Sequence, residues 1–333
     1  MTRLSLTARP RVTMLDVAER AGVSKASVSR FIGEDRGLLS DAIAGRIAHA
    51  IDELGYRPNQ MARGLKRGRT RLIGMLMADI RNPYSVAVMH GVQTACRRHG
   101  YSLVVCNTDR DPEQEHQQLQ ALRAYNIEGL IVNTLGHHQD ELRELQQELP
   151  MVLVDRKVAH LPSDLVGLDN QLAVDMALDH LHARGYRHIA LVSEPADGTS
   201  SRVERIDAFK RRADGPVFFT EPDLGERLRD FLADAHSGPK ALFCANGVAA
   251  LACTLALRAL DTHRCEDVGL IALDDLDWYP LVGDGITALA QPTHAIGVQA
   301  LECLLERLDG SQAPAQTFHF TPELIIRGST PPR

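Results

Sequence analysis

The sequence predicts an α/β protein in which an N-terminal helix-turn-helix head joins a two-lobed core of doubly wound parallel sheets. Three observations predict it. A short helix, a glycine and a second, polar-faced helix follow one another between residues 15 and 32. From Leu72 onward, apolar runs of strand length alternate with helical periods, the pattern of βαβ units and parallel sheets. The charge divides at the same place. Residues 1–71 hold 14 Lys and Arg against 7 Asp and Glu, while the rest holds 23 of the chain's 37 basic and 36 of its 43 acidic residues. A basic head on an acidic body is what an electrostatic footprint on phosphate looks like.

The first helix is expected over residues 15–21, with Leu15, Ala18 and Ala21 facing inward and Ala18 small enough for a close crossing. Gly22 supplies the positive φ of a sharp turn, and Ser24 caps the second helix. That helix turns Val28 and Phe31 or Ile32 inward and presents Lys25, Ala26, Ser27, Ser29 and Arg30 outward. Short polar and cationic side chains at the start of such a helix reach base edges and phosphates in a major groove. A generic pair of helices would share the glycine turn, but not the third helix (IAHAIDELGY) and the basic tail that follow.

In that tail Pro58 bars continuation of the third helix, and Asn59 can cap a short helix over residues 60–66 carrying Met61, Ala62 and Leu65. Two helical turns are not stable alone in water. On the residues alone two readings stand: a segment that orders on DNA, with Leu65 as a wedge between minor-groove base steps, or a plain inter-domain linker. The expected domain limits are 12–58 for the head, 59–71 for the hinge and linker, and 72–330 for the core.

The body offers ten buried-looking strands, from LIGMLM, YSLVVC, IEGLIVN and MVLVD through DLVGLD, HIALVS, PVFF, ALFCAN, VGLIALD and ITALA. So many strands exceed one compact sheet, so two lobes are expected, with a ligand between them at the carboxyl ends of the strands. No P-loop, GxGxxG after a strand, GxSxG elbow or HExxH motif occurs, and the adjacent His137 and His138 lack the spacing of a helical metal pair. The body therefore reads as a binder rather than an enzyme, with no cofactor and no metal. The six cysteines form no CxxC pair and sit largely in apolar runs, as reduced, buried thiols of a cytoplasmic protein do. The stretch MTRLSLTARPRV lacks a signal-peptide core, and no run of about 18 apolar residues occurs, so neither export nor membrane insertion is expected.

With VTMLDVAERAGVSKASVSR, YRPNQMARGLKRGRT and LIGMLMADIRNPY in place, and LVDR, VGLDN, HLHARGYRHIALVS, CAN, LDD and ALAQP further on, the chain resembles the LacI-type bacterial transcriptional regulators from Val12 to Gly328. The resemblance implies a periplasmic-binding-protein-like core, a homodimer on a palindromic double-stranded operator, and DNA affinity switched by a small metabolite. Residue by residue, it assigns Lys25, Ala26, Ser27, Ser29 and Arg30 to the DNA-contacting face of the recognition helix. Asn59, Ala62 and Leu65 fall on the family's hinge helix, which favours the wedge over the linker.

For the effector, the resemblance implies Tyr84, Ser85, Arg156, Ser201, Arg202, Arg205, Asn246, Asp274, Trp278 and Gln291, with Arg205 as the main ligand arginine. Each has a bland counterpart. Arg156 can be a strand-end arginine, Arg205 an ion pair with Glu204 or Asp207, and Asn246 an N-cap; Asp274 and Asp275 can cap, and Trp278 can be core or dimer surface. The stretch DDLDWYPLVGDGITALAQP, with Gly285 where many relatives carry proline, is similar to the gluconate and ketogluconate regulators. The head is similar to the 2-ketogluconate-responsive repressors of pseudomonads. The implied effector is thus a sugar acid, 2-ketogluconate, acting as an inducer; the alternatives are the same regulator responding to gluconate or a neutral sugar, or a sugar-binding receptor without a DNA role. The sequence departs from the family in a longer loop over residues 33–39, Gly45 inside the third helix, Gly247 in place of an aspartate, and a shortened stretch between Arg212 and Gly225 that puts the local fold in doubt. No heptad tail follows the core, so no tetramer built by one is expected.

Overall fold

Helix starts and stops in the head follow local chemistry. The computed structural model describes residues 12–33, 35–57, 69–134, 136–234, 238–260 and 268–333, so Asn59, Ala62 and Leu65 of the expected hinge lie outside the described residues. The chain forms two units, Met1–Thr70 and Arg71–Arg333. In the first, a capping box opens the helix Met14–Ala21: the Thr13 hydroxyl accepts from the Asp16 amide, and the Asp16 carboxylate accepts from the Thr13 amide at 2.7 Å. Gly22 ends it at φ 63°, and the amide of Ser27 donates to the Ser24 hydroxyl at 3.1 Å to cap Lys25–Ile32. The third helix is Asp41–Leu54.

The head's core is Val17, Ala18, Ala21, Val28, Ile47, Ala50 and Tyr56, with Phe31 and Ile32 packed against it. Leu15 is not inward; it is 53% exposed. Val17, Ala18 and Ala21 together set the buried face, and at roughly 100° per residue Leu15 falls well round the helix from its centre. Gly45 is exposed inside the third helix, and a Cβ there would meet nothing within 4 Å. Gly45→Ala is therefore expected to stabilise the head by about 0.5–1 kcal/mol, read as a higher urea midpoint of the head transition.

The second unit holds two six-stranded sheets. Its strands, in chain order, are β1 (Leu72–Met77), β2 (Ser102–Asn107), β3 (Gly129–Asn133), β4 (Met151–Val154), β5 (Asp164–Leu168), β6 (His188–Ser193), β7 (Val217–Phe219), β8 (Lys240–Cys244), β9 (Val268–Leu273), β10 (Thr287–Ala290), β11 (Thr317–Phe320) and β12 (Glu323–Ile325). One sheet runs β11-β5-β4-β3-β1-β2 and the other β12-β10-β9-β8-β6-β7, all parallel except for β12 against β10. The interior strands are buried along nearly their whole length, which is why they read as continuous apolar runs. The two strands that the sequence does not announce, β11 and β12, are short, partly exposed edges with no such run.

Each sheet has an apolar cluster on both faces, so each lobe is doubly wound. The chain passes between lobes three times. It leaves β5 for the helix Asn170–Ala183 of the second lobe, returns after β10 through the helix Thr293–Leu308, and crosses again between β11 and β12. The shortened stretch after Arg212 completes a βαβ unit without an extra helix: the helix Ser200–Arg212 leads in four residues to edge strand β7, and then to the helix Leu224–Ala233. Gly285 sits at φ 86°, a conformation closed to proline.

Candidate functional site

On the head, Lys25, Ala26, Ser29 and Arg30 are exposed along one helix, while Ser27 is half-buried with its hydroxyl 3.0 Å from that of Ser24. The cap that starts the helix thus engages Ser27, and the other four keep their side chains for solvent or a partner.

In the core, the carboxyl ends of the two sheets face one cavity. It is lined by Asn82, Tyr84, Asp155, Arg156, Ser201, Arg202, Arg205, Asn246, Asp274 and Gln291. Asn82 and Tyr84 follow β1, and Asp155 and Arg156 follow β4. From the other lobe, the helix after β6 brings Ser201, Arg202 and Arg205, while Asn246, Asp274 and Gln291 follow β8, β9 and β10. Eight of the ten residues expected there line it. Ser85 and Trp278 do not: Ser85 is buried within the helix Pro83–Arg98, and Trp278 packs edge-on against Tyr279 with centroids 4.6 Å apart, beside the second lobe's core. Asp275 pairs with Arg327 at 2.7 Å and plays a structural part.

The polar groups divide into those already engaged and those left open. Arg205 donates from Nε to Asn170 Oδ1 at 2.8 Å and from Nη1 to the Ala245 carbonyl at 3.0 Å, and its Nη2 lies 3.6 Å from Asp155. Asp155 also accepts from the Ser201 hydroxyl at 3.2 Å. Asn246 caps its helix by accepting from the Ala249 amide and donates to Glu194 at 2.7 Å, so the capping role leaves its amide nitrogen for a second bond. Asp274 accepts from the Gly247 amide at 2.9 Å and from Gln291 at 2.6 Å. A Cβ at Gly247 would lie 2.6 Å from Leu276 Cδ1, so a side chain there would require Leu276 to shift.

Arg156 differs from the other two cavity arginines. It is 8% exposed, its Nε is 3.3 Å from Asp155, and neither Nε nor Nη1 has a hydrogen-bond partner. Tyr84 Oη and Gln291 Oε1 are likewise buried without a partner. Burial, with the charge of Asp155 adding to it, holds the Tyr84 phenol well above its ordinary range, so it is a neutral hydroxyl. Burial also raises the carboxyl of Asp274, against the opposing pull of the Gly247 amide and Arg205.

Three acidic or polar positions escaped the sequence reading: Asn82, Asp155 and, just beyond the cavity wall, Glu194. All three follow the carboxyl end of a strand, the same placement that flagged Asp274. Glu194 is 3% exposed; burial pushes its carboxyl up, but Arg202, Asn246 and Arg110 outweigh this and hold it below the ordinary range.

Elsewhere, His116, His138 and Glu141 bring one ligand atom each within 4.8 Å of one another, and none of them lines the cavity. His116 Nδ1 lies 2.9 Å from Glu141, whose hydrogen bond raises the imidazole's pKa. The described cysteines Cys96, Cys106, Cys244, Cys253 and Cys303 are free and buried. No described helix is long and apolar enough to cross a membrane.

Residues 13–59 match the model of bacterial regulatory proteins of the lacI family, and residues 178–330 match the periplasmic binding protein-like domain. The chain is 65% identical over 334 residues, 98% of both chains, to the HTH-type transcriptional regulator PtxS of Pseudomonas aeruginosa. It is 39% identical to the HTH-type transcriptional regulator KdgR of Bacillus subtilis, covering 95% of this chain and 97% of that one. Its fold matches the lac repressor bound to ONPG in the repressed state with a TM-score of 0.83 at 21% identity, covering 96% of this chain and 100% of that one. A helix-turn-helix head, a two-lobed core and near-full-length identity to known regulators converge on one conclusion: the chain belongs to the lacI family of bacterial regulatory proteins and is a DNA-binding transcriptional regulator.

Proposed function

We propose that this regulator is a repressor that binds a palindromic operator as a homodimer and is released from it by a sugar acid, 2-ketogluconate. The observation that carries the effector class is Arg156. Its buried guanidinium has two nitrogens outside any hydrogen bond, and of these only Nε is in ion-pair reach of Asp155; such a group is costly unless a ligand meets it, and a carboxylate matches its fork of donors. Beside it, Tyr84 Oη can donate to or accept from a ligand hydroxyl, and Gln291 Oε1 can accept from one. A polyhydroxylated monoacid satisfies all of these groups together, whereas a neutral sugar offers no charge to the guanidinium nitrogens that Asp155 does not reach.

Because the lining comes from both sheets, a ligand touching Arg156 and Arg202 at once favours one relative setting of the lobes. A coupling of about 1–3 kcal/mol would change operator affinity roughly five- to more than a hundredfold. Leu251 and Leu255, one turn apart on the helix Gly247–Ala259, are 47% and 57% exposed, an apolar helix face suited to a second copy. Among the described residues no histidine lines the cavity to activate Ser201, so binding without turnover is the reading it supports. The protein would act in the cytoplasm, where operator DNA is.

On DNA, Lys25, Ala26, Ser29 and Arg30 form the reading face, with Ser27 supporting it; Asn59, Ala62 and Leu65 act as the hinge. Lys25→Ala is expected to weaken binding about equally on all sequences and to lessen the salt slope by about 1.8, one phosphate's worth from each protomer. The effector class is tested by calorimetric titration with 2-ketogluconate, gluconate and glucose. Binding of the acids but not of glucose is expected; binding of glucose as tight as that of the acids would contradict it.

A further inference from the structure

Of the three arginines in the cavity wall, two are already committed. Arg205 is held by Asn170, the Ala245 carbonyl and Asp155. Arg202 donates to Glu194 at 2.8 Å and to the Pro195 carbonyl at 2.8 Å. Glu194 is itself a junction between lobes. It follows β6 of the second lobe, and its other oxygen accepts from Arg110 at 2.6 Å; Arg110 follows β2 of the first lobe and also meets Asp79 at 3.2 Å. Four charges of alternating sign, Asp79, Arg110, Glu194 and Arg202, thus run from one lobe to the other at the cavity's edge. Arg202, Arg110 and Asn246 all donate to Glu194 and together hold its carboxyl below the ordinary range despite its burial.

We propose that Glu194 is the specificity-determining residue that restricts the cavity to effectors with a single negative charge. It rests on the sugar-acid reading above and names what that reading excludes. One ligand carboxylate goes to Arg156, where free nitrogens remain. A second carboxylate, at the far end of a six-carbon acid, would have to approach Arg202, and there it finds a cation already paired at 2.8 Å with the carboxylate of Glu194 behind the cavity wall. The discrimination is therefore built from repulsion: the protein supplies the second anion itself, and the site rejects aldarate-type dianions that otherwise resemble its ligand in length and hydroxylation.

The test is calorimetric titration of the full-length wild type and of Glu194→Gln with 2-ketogluconate, glucarate as the dianion, and glucose. The wild type is expected to bind 2-ketogluconate at least about 100-fold more tightly than glucarate, and Glu194→Gln to narrow that ratio at least about tenfold by tightening glucarate. Arg110→Gln provides the opposite sign. It removes one of the cations that offset Glu194 at a partly exposed position, so the ratio should widen, and it keeps the proposal open to refutation should Glu194→Gln fail to fold. Equal binding of glucarate and 2-ketogluconate by the wild type, or an unchanged ratio in the variant that folds, overturns the role of Glu194. Binding of glucose in preference to both acids, or of none of the three, overturns the sugar-acid reading and this assignment with it.

Discussion

Arg156→Met is expected to abolish the response to the effector while leaving folding and operator binding intact. Truncating one partner of a buried charge pair costs about 2–5 kcal/mol, a loss of roughly 30-fold to several thousandfold in affinity. Folding should survive because Arg156 donates none of the hydrogen bonds that hold the lobes; its one protein neighbour of opposite charge, Asp155, lies 3.3 Å away and keeps Ser201 and Arg205 as partners. Methionine fills the same volume without a charge. Arg205 makes the contrasting case. Removing it strands Asn170 and the Ala245 carbonyl, so Arg205→Ala should lower stability along with effector binding. Calorimetry on both variants, with urea denaturation beside it, separates the two. An Arg156→Met protein that still binds 2-ketogluconate at wild-type strength would remove the site assignment.

Gly297→Val is expected to unfold the first lobe. The helices Pro83–Arg98 and Thr293–Leu308 cross at two glycines: a Cβ on Gly297 would lie 2.1 Å from the Val88 carbonyl oxygen, and one on Gly91 would lie 2.3 Å from that of His294. The obstacles are backbone atoms, which no rotamer change removes. Ordinary overpacking costs about 1–3 kcal/mol, and a backbone clash between helices sits at or beyond the upper end of that range. The expected result is a sharply lower urea midpoint or insoluble protein; a shift within about 0.5 kcal/mol would contradict the close crossing. The crossing also reaches the site. One helix begins beside Asn82 and Tyr84 and the other shortly after Gln291, so it fixes their separation across the cavity.

Much of the fold was legible because it is written locally. Gly22 and Ser24 carry the turn of the head in their own backbone chemistry, and the buried strands of the core leave unbroken apolar runs. Where burial is partial the signal fails: β11 and β12 are short strands at sheet edges with exposed residues among the apolar ones, and the i, i+3, i+6 spacing of Leu15, Ala18 and Ala21 drifts about 60° per step, away from the face that Val17, Ala18 and Ala21 bury. The candidate site was legible in position more than in role. Strand ends located Arg156, Asn246, Asp274 and Gln291, but the arginine with free nitrogens is Arg156 rather than Arg205. That distinction depends on Asn170 and Ala245, partners 35 and 40 residues away that no local pattern connects. Trp278 was legible only as a choice between effector contact and core or dimer surface; it packs against Tyr279 beside the second lobe's core, a placement its loop sequence does not announce.

The central claim, a repressor whose hold on DNA is governed by a sugar acid, is tested most directly by fluorescence anisotropy of the purified protein on DNA from upstream of its own gene. The titration is run across salt concentrations, with and without 2-ketogluconate, and with glucose as the neutral control. Tight, salt-sensitive binding that 2-ketogluconate weakens and glucose leaves unchanged is the predicted result. Operator binding that 2-ketogluconate does not move, or that glucose releases equally, would contradict the account.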